Sequence, residues 1–302
     1  MNKTILVTGG SGFIGTNLIL ELKKTNAKII NLTRHPPRID VKTYTFDISN
    51  KEKLNNLLKK ERPEYIIHLA DLSSPHKTPT REIAIKDNVE ATKNFLEVLK
   101  DYKIKKLIFA STSLVYDRNE PRPFKETTKT NPDNHEYVRS KLEQENLVNK
   151  YAKDTNTQIV IFRVSNTYGP YMDYKNNPLL VSQVIIQALK EKKIKVRNLT
   201  SVRDWIYIED VVNALILSLE KNIKGTFNLA SGRGGSVKEI VDHISKKLKV
   251  PYEVEDKNAK VDIVTIDNAK IKKELNWNPK ITLEKGLDKT IVYLQKVLKE
   301  DG

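Results

Sequence analysis

The 302-residue sequence predicts an α/β fold: a doubly wound parallel sheet with a smaller C-terminal lobe. Three observations carry that expectation. Short β-branched runs alternate with longer helical patterns through the first half of the chain. A cluster of glycines follows the first such run and opens the first helix. Beyond "NTYGPY" the alternation loosens into Pro- and Asn-containing loops and shorter elements. Strands separated by helices make a parallel sheet covered on both faces, because each crossover must carry the chain back over the sheet.

The elements follow in order. "TILVTG" is the first strand, and residues 13–24 repeat apolar side chains at helical spacing. "AKIINL" and "VKTYTF" give two further strands before a helix at 51–60. "EYIIHLA", a helix at 83–100, "KKLIFAST", a helix at 136–151 and "TQIVIFRV" complete the alternating part, and a lysine-rich helix at 283–299 closes the chain. No internal repeat, low-complexity tract or clear linker interrupts it. The second lobe therefore grows out of the first, with a first domain at 1–165, later segments near 203–232 returning to it, and the second lobe mainly at 166–302.

Composition removes several classes of function. A charged fraction of 30% beside 38% hydrophobic residues belongs to a folded globular chain rather than a disordered one. With no cysteine there is no disulfide, thiolate metal site or cysteine nucleophile, and no metal is expected. The apolar run near the N-terminus is too short for a signal peptide, and "VVNALILSL" is too short to span a bilayer, so the cytoplasm is the expected compartment and no membrane partner is expected. The net charge of +15 invites a nucleic-acid reading. Its placement argues against one: "LLKKER", "ISKKLK" and "IKKEL" put lysines at helix ends, where cations suit the negative end of the dipole.

The glycines read as G-x-G-x-x-G from Gly10 (Gly10, Gly12, Gly15) and as G-x-x-G-x-x-G from Gly9 (Gly9, Gly12, Gly15). Placed between a strand and a helix, such glycines let a pyrophosphate approach the backbone and reach free amides at the helix N-terminus. Gly9, Gly12, Phe13, Ile14 and Gly15 are thus candidate dinucleotide contacts. The second strand ends where an acidic side chain would bond the 2′-hydroxyl of NAD, and there the chain carries Thr33 and Arg34. Thr33 offers no carboxylate to repel a 2′-phosphate and Arg34 can bind one, so NADP is favoured over NAD.

Tyr-x-x-x-Lys sets a phenol and an ammonium one helical turn apart, and it occurs at Tyr102/Lys106, Tyr137/Lys141 and Tyr171/Lys175. Tyr102 precedes a strand, at the wrong edge of the sheet, and Tyr171 sits in a loop. Only Tyr137 and Lys141 lie on a convincing helix downstream of a strand that ends in hydroxyls, Ser111-Thr112-Ser113. An unperturbed phenol has a pKa of about 10. A cation about 4 Å away at an effective dielectric of about 20 would lower it by roughly three units before desolvation subtracts some, making a usable general base. Thr112 would orient the substrate oxygen.

Together these features resemble the extended short-chain dehydrogenase/reductases, the NAD(P)-dependent nucleotide-sugar epimerase/dehydratase group with a Rossmann-type fold. "FDISN", "IIHLA", "DNVEATKNFLE", "STSLVY", "RVSNTYGP", "RDWIYIEDVVNA", "FNLASG" and "ELNWNP" extend the resemblance over nearly the whole chain. It implies that Asp47 and Ile48 flank the adenine, Leu69 and Ala70 line the cofactor cleft, and Asn88 supports it. It further implies Thr112, Tyr137 and Lys141 as the catalytic set, Ser113, Asn166 and Arg203 as contacts of a nucleoside-diphosphate sugar, and a homodimer through the helices at 83–100 and 136–151.

Departures narrow the reaction. Dehydratases of this group carry Asp-Glu after the catalytic threonine, whereas this chain reads Thr112-Ser113-Leu114, leaving no acid to protonate a departing hydroxyl. The arginine usual in "RPGD" is missing from "KNAKVD", leaving Lys257 or Lys260 as a point charge. The sequence therefore points to an epimerase or a 4-ketoreductase acting at a hexose carbon, C4 being favoured. A non-catalytic NAD(P)-binding or RNA-associated protein is the alternative from another class.

Overall fold

The computed structural model describes residues 3–72, 80–175, 178–256 and 258–300. The chain runs β1 (Thr4–Thr8), α1 (Phe13–Leu22), β2 (Lys28–Thr33), β3 (Thr43–Thr45), α2 (Lys51–Glu61) and β4 (Tyr65–His68). It continues through α3 (Arg81–Ala84), a π-helical turn (Ile85–Glu90), α4 (Ala91–Leu99), β5 (Lys106–Thr112), α5 (Glu136–Thr155) and β6 (Gln158–Val164). The remainder is β7 (Asn166–Tyr168), α6 (Leu180–Lys190), β8 (Ile194–Val196), β9 (Val202–Tyr207), α7 (Ile208–Ser218), β10 (Gly225–Leu229), β11 (Gly234–Ser236), α8 (Val237–Leu248), β12 (Tyr252–Val254), α9 (Ala269–Leu275) and α10 (Leu283–Glu300).

Seven strands form one sheet in the order β10-β6-β5-β4-β1-β2-β3, every pair parallel. The winding reverses between β1 and β4, and ligands of such sheets bind in the crevice outside the C-terminal strand ends at that point. Alternation within the strands fills both faces. Ile5, Val7, Ile67, Ile108 and Phe162 meet α1 and α7 through Leu18, Ile19 and Leu215. Leu6, Ile66, Leu107 and Ile161 meet α2, α4 and α5 through Leu58, Phe95 and Tyr151. Successive strand residues point to opposite faces, so a doubly covered sheet requires apolar side chains at both parities.

A three-stranded sheet β11-β9-β7 and a β12-β8 pair lie outside the main sheet. Of the later segments expected near the first domain, β10 joins the large sheet, whereas β9 pairs with β7 and β11. The helix expected over 83–100 is not continuous. The π-helical turn Ile85–Glu90 interrupts it and carries the buried Asn88, whose Oδ1 accepts from the Leu72 amide at 3.0 Å and whose Nδ2 donates to Ser140 Oγ at 3.2 Å. Widened turns of this kind are rare and occur frequently at functional sites.

Candidate active site

The glycine turn answers to two different needs. Gly9 has φ +74° and abuts β4, so that a Cβ there would stand 2.7 Å from the Ala70 nitrogen. A Cβ on Gly10 would meet Asn31 and Ile19, and one on Gly15 would meet the backbone of Gly9 and Gly10. Those three glycines are required by the protein's own packing. Gly12 differs: a Cβ there would meet nothing nearer than the Gly9 carbonyl oxygen at 3.2 Å. Gly12 also forms the N-cap of α1 without any side-chain cap, leaving amides at the positive end of the helix open to an anion. Phe13 and Ile14, the first two helical residues, are half-buried against the core. The cradle fits a dinucleotide pyrophosphate.

Thr8 ties this turn to the neighbouring strand. Its backbone oxygen accepts from the Leu69 amide at 3.1 Å and its hydroxyl accepts from the Ala70 amide at 3.2 Å. The same hydroxyl lies 2.6 Å from Nδ1 of buried His68, which desolvation, helped by the Lys141 charge, pushes down to about 3. His68 is therefore a neutral strut.

At the other end of the cleft, Thr33 is buried and its Oγ1 accepts from the His35 amide at 3.2 Å. Arg34 Nη1 lies 3.6 Å from Asp47 Oδ2, both side chains being about two-fifths exposed at 40% and 45%. Burial would raise the Asp47 carboxyl, but the hydrogen bonds from Ser49 and the Arg34 charge outweigh it and hold it below its ordinary value. Arg34 thus already has a partial counter-ion, and Ile48 is buried in the core.

Of the three Tyr-x-x-x-Lys pairs, only Tyr137 and Lys141 stand at the C-terminal ends of the strands. Tyr102 bonds the Asn55 carbonyl at the opposite edge, and Tyr171 sits in a loop with φ 67° and its ring against Tyr293. Helix α5 is fixed at its start by His135, whose Nδ1 accepts from the Tyr137 amide at 3.1 Å. Thr112 closes β5 and is buried, its hydroxyl accepting from the Leu114 amide at 3.2 Å. Ser113 is buried at the first position of the following 3₁₀ turn.

The electrostatics differ from the sequence expectation. Lys141 Nζ donates to the Ala110 carbonyl at 2.9 Å and forms an ion pair with Asp71, each side chain being 4% exposed. Burial pushes the Tyr137 phenol up, the Asp71 charge pushes it further, and Thr112 draws it only partly back. Lys141 is not among the influences on the phenol; its ammonium is engaged by Asp71 and the Ala110 carbonyl. Burial likewise pushes the Asp71 carboxyl up, against the attraction of Lys141. Asp71 was missed from sequence, although a carboxylate immediately after Ala70, at the C-terminal end of β4, was a visible signal.

Asn166 and Arg203 lie on adjacent strands of the small sheet and line one cavity of about 280 Å³ with Ser201, Trp205 and Leu179. Asn166 Nδ2 donates to the Asp204 carbonyl at 3.3 Å. Arg203 binds Asp262 twice, Nη1 to its carbonyl at 2.6 Å and Nη2 to its carboxylate at 2.6 Å. Of the two lysines considered as point charges, Lys257 lies outside the described residues.

Comparison with known proteins fixes the class. Residues 5–230 match the NAD dependent epimerase/dehydratase family, and the chain belongs to it. It is an enzyme of the extended short-chain dehydrogenase/reductase type, built on a Rossmann-like sheet. It is 30% identical to a UDP-glucuronate 4-epimerase of Thermodesulfobacterium geofontis over 95% of this chain and 94% of that protein. It is 33% identical to a GDP-6-deoxy-D-talose 4-dehydrogenase of Aggregatibacter actinomycetemcomitans over 78% of this chain and 77% of the other. Among solved structures, the UDP-glucose 4-epimerase of Thermotoga maritima with UDP-glucose superposes with a TM-score of 0.90 at 28% identity, covering 98% of this chain and 99% of that one. No helix among the described residues is long and apolar enough to cross a membrane.

Proposed function

We propose that the protein is a nucleotide-sugar 4-epimerase, moving hydride at C4 of the hexose of a nucleoside-diphosphate sugar. The observation that carries this reading is the meeting of Thr112, Tyr137 and Lys141 at the strand ends beside the open Gly12 turn. Relatives named as UDP-sugar 4-epimerases, which this chain matches over nearly its full length, support it.

Gly12 and the amides of Phe13 and Ile14 would hold the pyrophosphate of the cofactor, with Gly9 and Gly15 shaping that turn. Asp47 and Ile48 would flank the adenine, Thr33 and Arg34 the adenosine ribose, and Leu69, Ala70 and Asn88 the remaining wall. When bound, the nicotinamide supplies the hydride acceptor and donor. Tyr137 exchanges a proton with the sugar hydroxyl, Thr112 orients that oxygen, and Lys141 offsets negative charge on the phenol. Ser113 meets the sugar, and Asn166 and Arg203 hold the diphosphate. The absence of an acid after Thr112 leaves no group there to expel a hydroxyl, which separates the reaction from dehydration.

A second reading rests on Arg34. A cation at the ribose favours NADP(H), the cofactor of a 4-ketoreductase that consumes one reduced equivalent per turnover. Cofactor absorbance during conversion of UDP-, dTDP-, CDP- and GDP-linked sugars separates the two: an epimerase interconverts its sugars with no net change, whereas a stoichiometric fall with a keto-sugar overturns the epimerase. The resemblance further implies a homodimer through the helices at 83–100 and 136–151. Sedimentation as a monomer at working concentration contradicts it.

A further inference from the structure

We propose that Asp204 is a positioning residue, one that sets the diphosphate grip of the small sheet against the reacting ends of the large sheet. The assignment rests on the reading above of Asn166 and Arg203 as that grip. A substrate held there by its diphosphate and reacting at Thr112 and Tyr137 spans the two sheets, so its chemistry depends on how they are joined.

The join is narrow. Thr112, Val164 and Leu229, each the last residue of its strand, lie side by side in register at the C-terminal end of the large sheet. From two of these positions the chain passes directly into the small sheet. Ser165 alone separates β6 from β7, and residues 230–233 separate β10 from β11. The Ser165 amide donates to the Leu229 carbonyl at 3.0 Å, which ties the two crossings together where they leave.

Asp204 lies on β9, the middle strand of the small sheet, and fastens both crossings. Ser165 Oγ donates to its Oδ1 at 2.9 Å, the Ser231 amide to the same oxygen at 2.8 Å, and the Gly232 amide to Oδ2 at 2.8 Å. Arg203 and Trp205, the residues on either side of it, line the cavity with Asn166. Successive strand residues point to opposite faces, which turns Asp204 away from that cavity and onto the crossings. The side chain is fully buried, and burying a carboxylate is costly unless hydrogen bonds offset it. Here those bonds run to both crossings at once, so one side chain fixes β9, and with it Arg203, relative to the strand ends that carry Thr112. Its own carbonyl also accepts from Asn166 Nδ2 at 3.3 Å, which places the second half of the grip.

The test separates placement from binding and from folding. Asp204→Asn keeps the shape, but an amide accepts at one terminal atom where a carboxylate accepts at two, so at least one of these bonds is lost. The measurements are the single-turnover rate at saturation with the nucleotide sugar that the wild type converts, and calorimetric titration with UDP, dTDP, CDP and GDP and with the cofactor. A misplacement of about 1 Å can cost roughly a hundredfold in rate, so Asp204→Asn is expected to lose roughly 10- to 100-fold, with diphosphate and cofactor affinity within about twofold of wild type. Ser165→Ala removes one donor and carries the same test should Asp204→Asn not fold, with a rate loss of at least about threefold expected. A folded variant that converts bound sugar at the wild-type rate overturns the assignment, and so does one whose diphosphate or cofactor affinity falls in step with its rate. A wild type that binds the cofactor but none of the four diphosphates overturns the nucleotide-sugar reading and this assignment with it.

Discussion

Asp71 and Lys141 face each other as a buried ion pair at the centre of the site, each with 4% of its side chain exposed. The ammonium that should draw a proton off Tyr137 is thereby balanced by a carboxylate that resists it. Breaking such a pair by removing one partner leaves the other charge uncompensated, so its consequences are large and readable.

The first expectation concerns pH. Phenolate is the form of Tyr137 that accepts a proton from a sugar hydroxyl, and Asp71 raises the pH at which it forms. Asp71→Asn removes that negative charge and frees the Lys141 charge, so the limb of the kcat/KM profile set by Tyr137 should move to lower pH by about one unit or more. A profile that does not move shows that Asp71 has no electrostatic hold on the base.

The glycines should separate by what each one faces. Gly12→Ala puts a methyl group against only the Gly9 carbonyl oxygen, at 3.2 Å, so cofactor affinity should fall at least tenfold while the Tm falls by much less than in Gly15→Ala. Gly15→Ala drives a Cβ into the backbone of Gly9 and Gly10 and should lower the Tm markedly even without cofactor. Thermal unfolding and cofactor titration of both variants check the pair, and equal loss of stability in the two contradicts it.

Cofactor choice turns on a half-exposed pair. Arg34 stands 3.6 Å from Asp47, and a 2′-phosphate must share it. NADP(H) should bind more tightly than NAD(H), by less than the roughly tenfold to hundredfold of an uncontested charge-assisted bond, and Arg34→Ala should remove most of the margin. Titration at one fixed ionic strength is the check. Equal or tighter NAD(H) binding by the wild type removes the support for a ketoreductase.

The sheet was legible because its signals are local and periodic. "TILVTG", "EYIIHLA" and "KKLIFAST" each carry apolar residues at both parities, as strands buried on two faces must. The choice of Tyr137 among three spaced pairs was legible from which strand end each one follows. What escaped was contact between residues distant in sequence. The pairing of Asp71 with Lys141 leaves no spacing to read, since it depends on how segments from separate strands converge. The π-helical turn at Asn88 was hidden likewise, because Ile83 to Lys100 reads as one amphipathic helix until its buried polar partners are known.

Tyr137→Phe bears most directly on the proposed activity, because it keeps the ring and removes the one hydroxyl assigned to exchange a proton with the sugar. The measurement is the single-turnover rate of wild type and variant on the nucleoside-diphosphate sugar that the wild type converts, beside cofactor titration of both. The expected result is a rate lower by roughly 10²- to 10⁴-fold with cofactor affinity within about twofold of wild type. A variant that turns over at the wild-type rate, or a wild type that converts none of the UDP-, dTDP-, CDP- and GDP-linked sugars, contradicts the account.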